Sequence, residues 1–318
     1  MNAAVVESFE RPPRYTTFAD PVAGDGEVLI TVMAAGLHPI VKALAKGSHY
    51  GSTGQLPLIP GVDGVGRTPE GERVLFGLSR PPYGTFAERS VTRRAMCTPI
   101  PDGLDDATVA AMINPAMSSW AALEHRAHFA AGESALILGA TGSAGQLAVQ
   151  IARRKGAKRV VAAGRNPRAL EETKALGADE TISLEQGHEA LTAALREEMA
   201  KGIDVVLDYV WGGPAEALLT ALVQRGLDHD ARRLRYVQIG NSAGPTITLA
   251  AAVLRSSGLE MLGSGFGSVP MEKIFASLRG ILQEAAREPF RIRLETAPLS
   301  EVESLWNAAG EARRVFVP

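Results

Sequence analysis

The fold of this chain is decided by a stretch that begins with Ala135-Leu136-Ile137-Leu138-Gly139-Ala140-Thr141-Gly142-Ser143-Ala144-Gly145 and ends with Arg159-Val160-Val161-Ala162-Ala163-Gly164-Arg165. An apolar run meets a glycine-rich turn, a helical stretch follows over residues 146–155, and a second apolar run ends twenty residues after Gly145. Continuously apolar runs are typical of strands that are covered on both faces. The order predicts a strand, a turn, a helix and a second strand, which is the repeating unit of a parallel sheet.

The turn has the residue types that a dinucleotide-binding loop needs. Glycine lets the backbone turn sharply and approach a pyrophosphate without a Cβ in the way, and the helix that follows offers unpaired N–H donors. One residue departs from the usual three-glycine pattern, because Ala140 stands in the place of the first glycine. A tight turn without a ligand is the alternative. We expect the ligand to be contacted by Ala140, Thr141, Gly142, Ser143, Ala144 and Gly145.

The end of the second strand indicates which dinucleotide binds. An acidic residue there would accept hydrogen bonds from the ribose of NAD, but this chain has Gly164-Arg165-Asn166. Gly164 is expected to leave space, and the guanidinium of Arg165 can pair with a 2′-phosphate, with Arg168 as a possible second cation. The sequence therefore favours NADP (NADPH), unless Arg165 is only a solvated surface residue.

The same alternation continues through the second half of the chain. Further strands are predicted over residues 203–210, 235–239 and 259–262, and helices over 166–177, 215–225 and 271–287. Strands and helices in turn predict a Rossmann doubly wound parallel sheet, so the fold class is α/β. The first hundred residues instead show short strands, such as 28–32 and 72–76, broken by Gly and Pro around one helix at 39–46.

The last thirty residues break the alternation of strand and helix. Residues 291–297 and 315–317 are predicted strands around a helix at 301–310, and they fit better as a return to the N-terminal domain. With 318 residues, the chain is long enough for two domains. We expect one domain from residues 1–119 and 288–318 and a nucleotide-binding domain from residues 120–287.

Composition excludes several classes of function. A net charge of -2 gives no electrostatic case for nucleic acid or an anionic membrane, and no apolar run reaches the roughly 18 residues that span a bilayer. The single cysteine, Cys97, excludes an internal disulfide and a four-thiolate zinc site. The first residues lack the basic start and apolar core of a signal peptide, so we expect a cytoplasmic protein.

Several separated motifs carry a resemblance to a known family. They are Ala35-Gly36-Leu37-His38-Pro39, Pro60-Gly61-Val62-Asp63-Gly64-Val65-Gly66, Tyr83-Gly84-Thr85-Phe86-Ala87-Glu88, the glycine turn, Leu176-Gly177-Ala178-Asp179 and Gly263-Ser264-Gly265. With these motifs in this order, the chain resembles the zinc-independent quinone oxidoreductase branch of the medium-chain dehydrogenases/reductases. The resemblance implies a GroES-like β-barrel catalytic domain, built from both ends of the chain, beside a Rossmann domain.

The resemblance also bears on metal binding. Zinc alcohol dehydrogenases of this family have a cysteine where His38 stands and a His-Glu pair where Val62-Asp63 stands. Val62 offers no ligand atom, so no metal is expected. A site made from His38, His49 and Asp63 remains the alternative.

Without a metal, hydride transfer is assisted by hydrogen-bond donors, and three residues are candidates. Tyr50 lies in a loop that lines the cleft in the family, and the related enoyl thioester reductases carry a proton-donating tyrosine there; the alternative is a pocket wall. His38 either donates a proton or is a satisfied barrel histidine. Asn114 either binds nicotinamide or substrate or caps a helix.

Further cofactor contacts are implied by the family and by the rule that ligands bind at the carboxyl ends of parallel strands. They are Tyr209, Val210, Ile239, Gly240, Asn241, Ser264, Gly265, Phe266 and Arg314, the last of which is otherwise a surface charge.

Together these features predict an NADPH-dependent reductase of quinones or α,β-unsaturated carbonyls. Enoyl thioester reduction is an alternative, although only Arg93-Arg94 offers a basic cluster for the carrier phosphate. A second alternative is an NADPH-binding protein with little catalysis, acting as a redox sensor. Relatives pair through the edge of the Rossmann sheet, so a homodimer through residues 259–262 is expected.

Overall fold

The computed structural model describes residues 1–224, 226 and 232–318. The chain divides into two compact units. We call Met1–Pro115 with Leu278–Pro318 the β-rich unit, and Ala116–Ser277 the parallel-sheet unit. Both divisions fall inside long helices, whereas the sequence analysis placed them at 119/120 and 287/288.

The strands are, in chain order, β1 (Asn2–Val5), β2 (Arg14–Thr17), β3 (Glu27–Gly36), β4 (Asp63–Arg67), β5 (Arg73–Gly77), β6 (Arg89–Arg93), β7 (Cys97–Pro99), β8 (Ser134–Leu138), β9 (Arg159–Gly164), β10 (Glu180–Ser183), β11 (Val205–Asp208), β12 (Arg233–Gln238), β13 (Gly258–Gly263), β14 (Leu294–Pro298) and β15 (Arg313–Val317). The helices are α1 (Pro39–Ala45), α2 (Asp106–Ala121), α3 (Ser143–Arg154), α4 (Pro167–Glu172), α5 (His188–Ala200), α6 (Gly212–Ala221), α7 (Ala251–Arg255), α8 (Met271–Arg287) and α9 (Val302–Leu305). In the described part of the chain, none of these helices is both long enough and apolar enough to cross a membrane.

The β-rich unit is held together by strands from both ends of the chain. Its larger sheet has the order β14-β15-β3-β4-β5-β7, with β6 also paired to β3. The last strand, β15, pairs antiparallel with β3, with Phe316 opposite Ala35. The C-terminal segment therefore returns to the sheet that the N-terminal strands form.

An aromatic cluster explains why this C-terminal return is stable. The ring of Phe86 makes edge-to-face contacts with Trp306 and Phe316, at centroid distances of 6.1 and 5.6 Å, and all three side chains are buried. Such pairs contribute about 0.5–1.5 kcal/mol each beyond the burial of their area. Two of the three residues come from the last fourteen of the chain, so burial of their rings fixes the end of the chain to its beginning.

The parallel-sheet unit confirms the predicted doubly wound topology. Its six strands have the order β10-β9-β8-β11-β12-β13, and every neighbouring pair is parallel. The chain first moves outward from β8 to β10 and then returns to the other side of β8 at β11, which places a topological switch point between β8 and β11. The strand predicted near residues 259–262 is β13, and it lies at the edge of the sheet as expected.

Several boundaries differ from the predictions for identifiable reasons. The predicted strand at 203–210 ends at Asp208, because its carboxylate binds the N–H groups of Val210 and Trp211 and turns the backbone off the sheet. The helix that follows is α6, which starts at Gly212 instead of residue 215 and ends at Ala221; its predicted end, Arg225, lies outside the described residues.

The helix predicted at 301–310 is much shorter in the structure. It is one turn of 3-10 helix, Leu299–Glu301, followed by α9, which ends before Trp306. Residues 307–310 are all exposed, so a longer helix would have no apolar face to bury. The helix predicted from residue 166 begins with Asn166 as its N-cap: the side chain accepts a hydrogen bond from the N–H of Ala169, and Pro167 opens the helix.

Candidate functional site

The structure brings most of the predicted cofactor residues to one edge of the parallel sheet. The glycine turn follows β8, Gly164-Arg165-Asn166 end and follow β9, Tyr209-Val210 follow β11, Ile239-Gly240-Asn241 follow β12, and Ser264-Gly265-Phe266 follow β13. Because these strands are parallel, their carboxyl ends lie at the same edge. A single extended ligand along that edge can contact all five loops.

The glycine turn is packed tightly on one side and open on the other. A Cβ on Gly145 would lie 2.2 Å from the carbonyl oxygen of Gly139, so α3 approaches β8 as closely as two backbones can. Gly139 itself has φ +90, a conformation that favours glycine. A Cβ on Gly142, in contrast, would meet nothing closer than 3.8 Å. The space beside Gly142 is therefore open.

The open side of the turn carries backbone donors without a side-chain cap. Gly142 is the N-cap of α3, and no side chain in the described part of the chain caps the first turn with a hydrogen bond. The N–H groups of Ser143, Ala144 and Gly145 belong to this first turn, which also has the positive end of the helix dipole. Ala140 is buried and donates its N–H to the carbonyl of Ala163, so its methyl group lies away from the open side. This arrangement suits an anion such as a pyrophosphate.

The end of β9 differs in one respect from the expectation. A Cβ on Gly164 would lie 2.3 Å from the Cγ2 atom of Thr141, so the side chain of Thr141 already fills the space that Gly164 was expected to leave for a ligand. Gly164 instead lets the glycine turn pack against β9.

The charged residues beyond β9 are placed at the surface. Arg165 is exposed, and within residues 1–224, 226 and 232–318 its guanidinium has no hydrogen bond or ion pair. Arg168 lies 3.4 Å from Glu172, and the Oδ1 atom of Asn166 caps α4. Of the two arginines, Arg165 is therefore the one whose charge is not paired with a described carboxylate.

A buried carboxylate that the sequence analysis did not select stands at the end of β11. Asp208 is fully buried, and its Oδ2 atom accepts a hydrogen bond of 2.5 Å from the hydroxyl of Tyr236. Burial raises the pKa of Asp208 and of Tyr236. The signal that could have revealed Asp208 is a single acidic residue at the end of an otherwise apolar strand.

The hydroxyl of the neighbouring Tyr209 forms a hydrogen bond of 3.2 Å with the hydroxyl of Ser118. Burial raises the pKa of Tyr209 to about 12, so this phenol stays protonated at neutral pH.

The loops after β12 and β13 border a cavity of about 310 Å³. The backbone N–H groups of Ile239 and Gly240 both donate to the carbonyl of Asp208, which ties the β12 loop to β11. Asn241 and Phe266 are exposed. The cavity is lined by Trp211, Gln238, Asn241, Pro245, Met261, Leu262 and Gly263.

In the β-rich unit, two of the predicted catalytic residues meet at a third residue. The Nε2 atom of His38 lies 3.4 Å from the Oδ1 atom of Asp63, and the amide of Asn114 donates a hydrogen bond of 3.0 Å to its Oδ2 atom. His38 is fully buried, and neither ring nitrogen has a good hydrogen bond to any residue that the structure describes. A buried polar atom without a partner is costly and is often found at functional sites.

Asn114 does not cap a helix, which corrects one of the two interpretations given above. It lies inside the sixteen-residue helix α2, directly before Pro115. Its side chain is half-buried and is held by Asp63. Asp63 also acts on Arg313 of β15: burial lowers the pKa of the Arg313 guanidinium, and the negative charge of Asp63 partly opposes this effect. Asp63 is thus the common neighbour of three polar side chains from three different elements.

Tyr50 lies apart from this cluster. It follows α1 in a turn, its side chain is 73% exposed, and its ring packs on that of His49 at a centroid distance of 4.1 Å. The N–H of Gly51 donates to the Nδ1 atom of His49, which fixes the turn. Arg314, in β15, is held within its own unit, because its guanidinium donates to the carbonyl of Leu305 and pairs with Glu295 at 3.3 Å.

The donor set of the β-rich unit does not fit a zinc ion. His38 and Asp63 supply two ligand atoms, and their nearest polar neighbours are the amide of Asn114 and the cationic Arg313. Among the described residues, no group of three or more His, Cys, Asp or Glu side chains is arranged to hold a metal. Tetrahedral zinc sites in proteins need at least three such side chains.

Comparison with known proteins agrees with this architecture. A family model described as zinc-binding dehydrogenase matches residues 144–284. The probable NADPH-dependent quinone reductase of Emericella nidulans is 28% identical over the whole of both chains. A mycocerosic acid synthase-like polyketide synthase of Mycobacterium tuberculosis is 29% identical over 68% of this chain, which is 10% of that protein. The crystal structure of the quinone oxidoreductase from Thermus thermophilus, also solved as a complex with NADPH, has a TM-score of 0.82 and 27% identity, covering 100% of each chain.

The fold and these relatives define a dehydrogenase/reductase with a GroES-like β-rich unit and a Rossmann unit. More narrowly, these findings support a quinone-oxidoreductase-like protein of the medium-chain dehydrogenase/reductase superfamily, as its motifs predicted.

Replacement by alanine should destabilise the protein much more at Gly145 than at Gly142 of the same turn. Gly145→Ala places a Cβ against the backbone oxygen of Gly139, which cannot rotate away, so we expect a loss of about 1–3 kcal/mol in the free energy of unfolding. Gly142→Ala meets open space and should change the free energy of unfolding by less than about 1 kcal/mol. Urea unfolding of both variants measures the difference. Equal losses would mean that the turn is not packed as described.

Proposed function

We propose that the protein is an NADPH-dependent reductase of quinones and α,β-unsaturated carbonyls that works without zinc. The observation that carries the proposal is the open, uncapped glycine turn at the start of α3 together with the unengaged guanidinium of Arg165 at the end of β9. The first feature fits a pyrophosphate, and the second fits a 2′-phosphate. The relatives named for NADPH-dependent quinone reduction support the same cofactor and the same substrate class.

The parallel-sheet unit holds the cofactor in this proposal. The first-turn N–H groups of Ser143, Ala144 and Gly145 bind the pyrophosphate, and Gly142 leaves room for it. Arg165 binds the 2′-phosphate. The loops after β11, β12 and β13 contact the rest of the molecule. When bound, NADPH supplies the hydride that reduces the substrate.

The β-rich unit supplies the side chains that can donate a proton to the reduced substrate. The carboxylate of Asp63 orients the amide of Asn114 by a hydrogen bond, and its other oxygen lies 3.4 Å from the imidazole of His38. An imidazole is a side chain that commonly transfers protons in enzymes, so His38 is one candidate proton donor. Tyr50 offers a phenol hydroxyl on an exposed turn and is the other proton donor.

Enoyl thioester reduction is less well supported by the charge distribution. Of the two arginines in the basic cluster, Arg94 is 3.1 Å from Glu70, so part of its charge is already neutralised. Arg93 is then the main positive charge that this cluster offers to a carrier phosphate.

We also propose that the protein forms a homodimer through the edge strand β13. The edge strand exposes Glu260 and half-buries Leu259, Met261 and Leu262, which leaves apolar surface beside unpaired backbone groups. Unpaired edges of this kind are usually covered by a partner, most often across a two-fold axis. Light scattering at micromolar concentration should give twice the mass of the chain, and a monomer would contradict the pairing.

The function is tested by measuring NADPH oxidation against a panel of quinones, enones and enoyl thioesters in the presence of a metal chelator. We expect turnover with quinones and enones that the chelator does not reduce. Loss of activity on chelation would contradict the zinc-free mechanism. If NADPH binds but no substrate is turned over, the protein is a cofactor-binding protein instead of a reductase.

Arg165→Ala should separate the two nicotinamide cofactors. A charge-assisted contact to a 2′-phosphate contributes about 1.5–3 kcal/mol, so the variant should bind NADPH at least about ten-fold more weakly. NADH lacks this phosphate, and its affinity should stay within about two-fold of the parent. Arg168→Ala is the matched control, since Arg168 lies near Glu172. Equal affinity of the parent for both cofactors would contradict the assignment of Arg165.

Tyr50→Phe and His38→Gln should identify the proton donor. General acids contribute about 10²–10⁴-fold, so loss of the true donor should slow enone reduction by at least about ten-fold. Quinone reduction should be affected less, because a quinone already stabilises the charge that it receives. NADPH affinity should be unchanged in both variants. Phe preserves the ring of Tyr50, so a Tyr50→Phe variant as fast as the parent would assign Tyr50 to packing.

A further inference from the structure

The loop after β11 is held between two glycines of neighbouring loops. A Cβ on Gly139, in the glycine turn, would lie 2.9 Å from the Cγ1 atom of Val210 and 3.2 Å from the Cβ atom of Tyr209. A Cβ on Gly240, after β12, would lie 2.7 Å from the carbonyl oxygen of Tyr209. Neither glycine therefore has room for a side chain, and the loop packs directly against the backbone of both. The position of the Tyr209–Trp211 loop therefore limits the position of the glycine turn.

The carboxylate of Asp208 fixes that loop. Its Oδ1 atom accepts hydrogen bonds from the N–H groups of Val210 and Trp211, at 2.8 and 2.9 Å, and its Oδ2 atom accepts one from the hydroxyl of Tyr236 at 2.5 Å. Trp211 has φ 56 and ψ -155, a backbone conformation that a residue with a side chain rarely adopts. Such a conformation persists only where several contacts impose it. Here Asp208 supplies two of the contacts, and the N–H of Ala243 adds another by donating to the carbonyl of Val210 at 2.7 Å.

Burying a carboxylate completely at the end of a strand costs free energy, because the group loses its hydration. Asp208 has no accessible surface, and a buried charge is tolerated only when hydrogen bonds replace its hydration. Its three donors do so, and two of them belong to the backbone of the loop that touches the glycine turn. The carboxylate is thus used to set the shape of the loop.

We infer that Asp208 is a positioning residue of the dinucleotide site: by fixing the Tyr209–Trp211 loop against Gly139, it holds the glycine turn in the shape that receives a pyrophosphate. Asp208 does not touch the ligand and takes no part in proton transfer. The inference rests on the proposed binding of NADPH. It predicts that a substitution of Asp208 lowers the affinity for ligands that contain a pyrophosphate more than the affinity for ligands that do not.

Asp204 offers a matched control at the other end of the same strand. It directly precedes β11, and its Oδ2 atom accepts a hydrogen bond of 2.8 Å from the N–H of Ser134. Like Asp208, it is an aspartate that binds backbone N–H at one end of β11, but it lies at the amino edge of the sheet. A general loss of strand stability would therefore affect Asp204→Asn and Asp208→Asn alike.

The experiment measures dissociation constants for NADPH and for 2′,5′-ADP, which carries the 2′-phosphate but no pyrophosphate. Asn has the shape of Asp but one acceptor oxygen, so Asp208→Asn loses part of the three-donor arrangement. We expect NADPH to bind at least about ten-fold more weakly to Asp208→Asn, while 2′,5′-ADP stays within about two-fold of the parent. Asp204→Asn should bind both ligands within about two-fold of the parent.

The outcomes separate this inference from the proposed function. If the parent does not bind NADPH, the proposed function fails before the variants are compared. If the parent binds NADPH and folded Asp208→Asn binds it equally well, or loses NADPH and 2′,5′-ADP to the same extent, Asp208 is not a positioning residue. Circular dichroism reports whether Asp208→Asn is folded. Should it not fold, Tyr236→Phe removes one of the three bonds and should still weaken NADPH several-fold and 2′,5′-ADP not at all; unchanged NADPH affinity in that variant overturns the inference.

Discussion

The close approach of α3 to β8 is the contact on which the rest of the parallel-sheet unit depends. A side chain at Gly145 would overlap the carbonyl oxygen of Gly139, so only glycine allows the helix to begin this near the strand. That closeness directs the first-turn N–H groups of α3 past the end of the sheet, where none of the described side chains caps them. A helix start without a cap is unfavourable in isolation, and an anion is a natural partner for it.

The same turn is supported from both neighbours in the sheet. Thr141 packs over Gly164 at the end of β9, and Val210 packs against Gly139 from the loop after β11. The glycine turn is therefore enclosed by the ends of three strands, β8, β9 and β11. In the β-rich unit, Asp63 has a comparable role, since a single carboxylate holds Asn114 by a hydrogen bond, lies 3.4 Å from His38 and balances part of the charge of Arg313.

The sequence could predict the elements whose signals are local. The strand before the glycine turn, the Asn166-Pro167 helix start and the edge strand β13 depend on apolar runs, a capping side chain and proline geometry, and each of them is present. The helix expected at residues 301–310 failed because its later part has nothing apolar to bury, and apolar burial is a tertiary property.

By itself, then, the sequence determined the doubly wound sheet, the glycine turn and the basic residue at the end of β9, because periodicity and residue type are enough to specify them. Tertiary structure alone decided what each polar side chain meets. It placed Asn114 on Asp63 instead of at a helix end, filled the space over Gly164 with Thr141, and buried Asp208 beneath the loop after β11. These partners lie 51, 23 and 28 residues apart for Asn114–Asp63, Gly164–Thr141 and Asp208–Tyr236. No local pattern encodes such contacts, because they form only when separate strands and helices pack together.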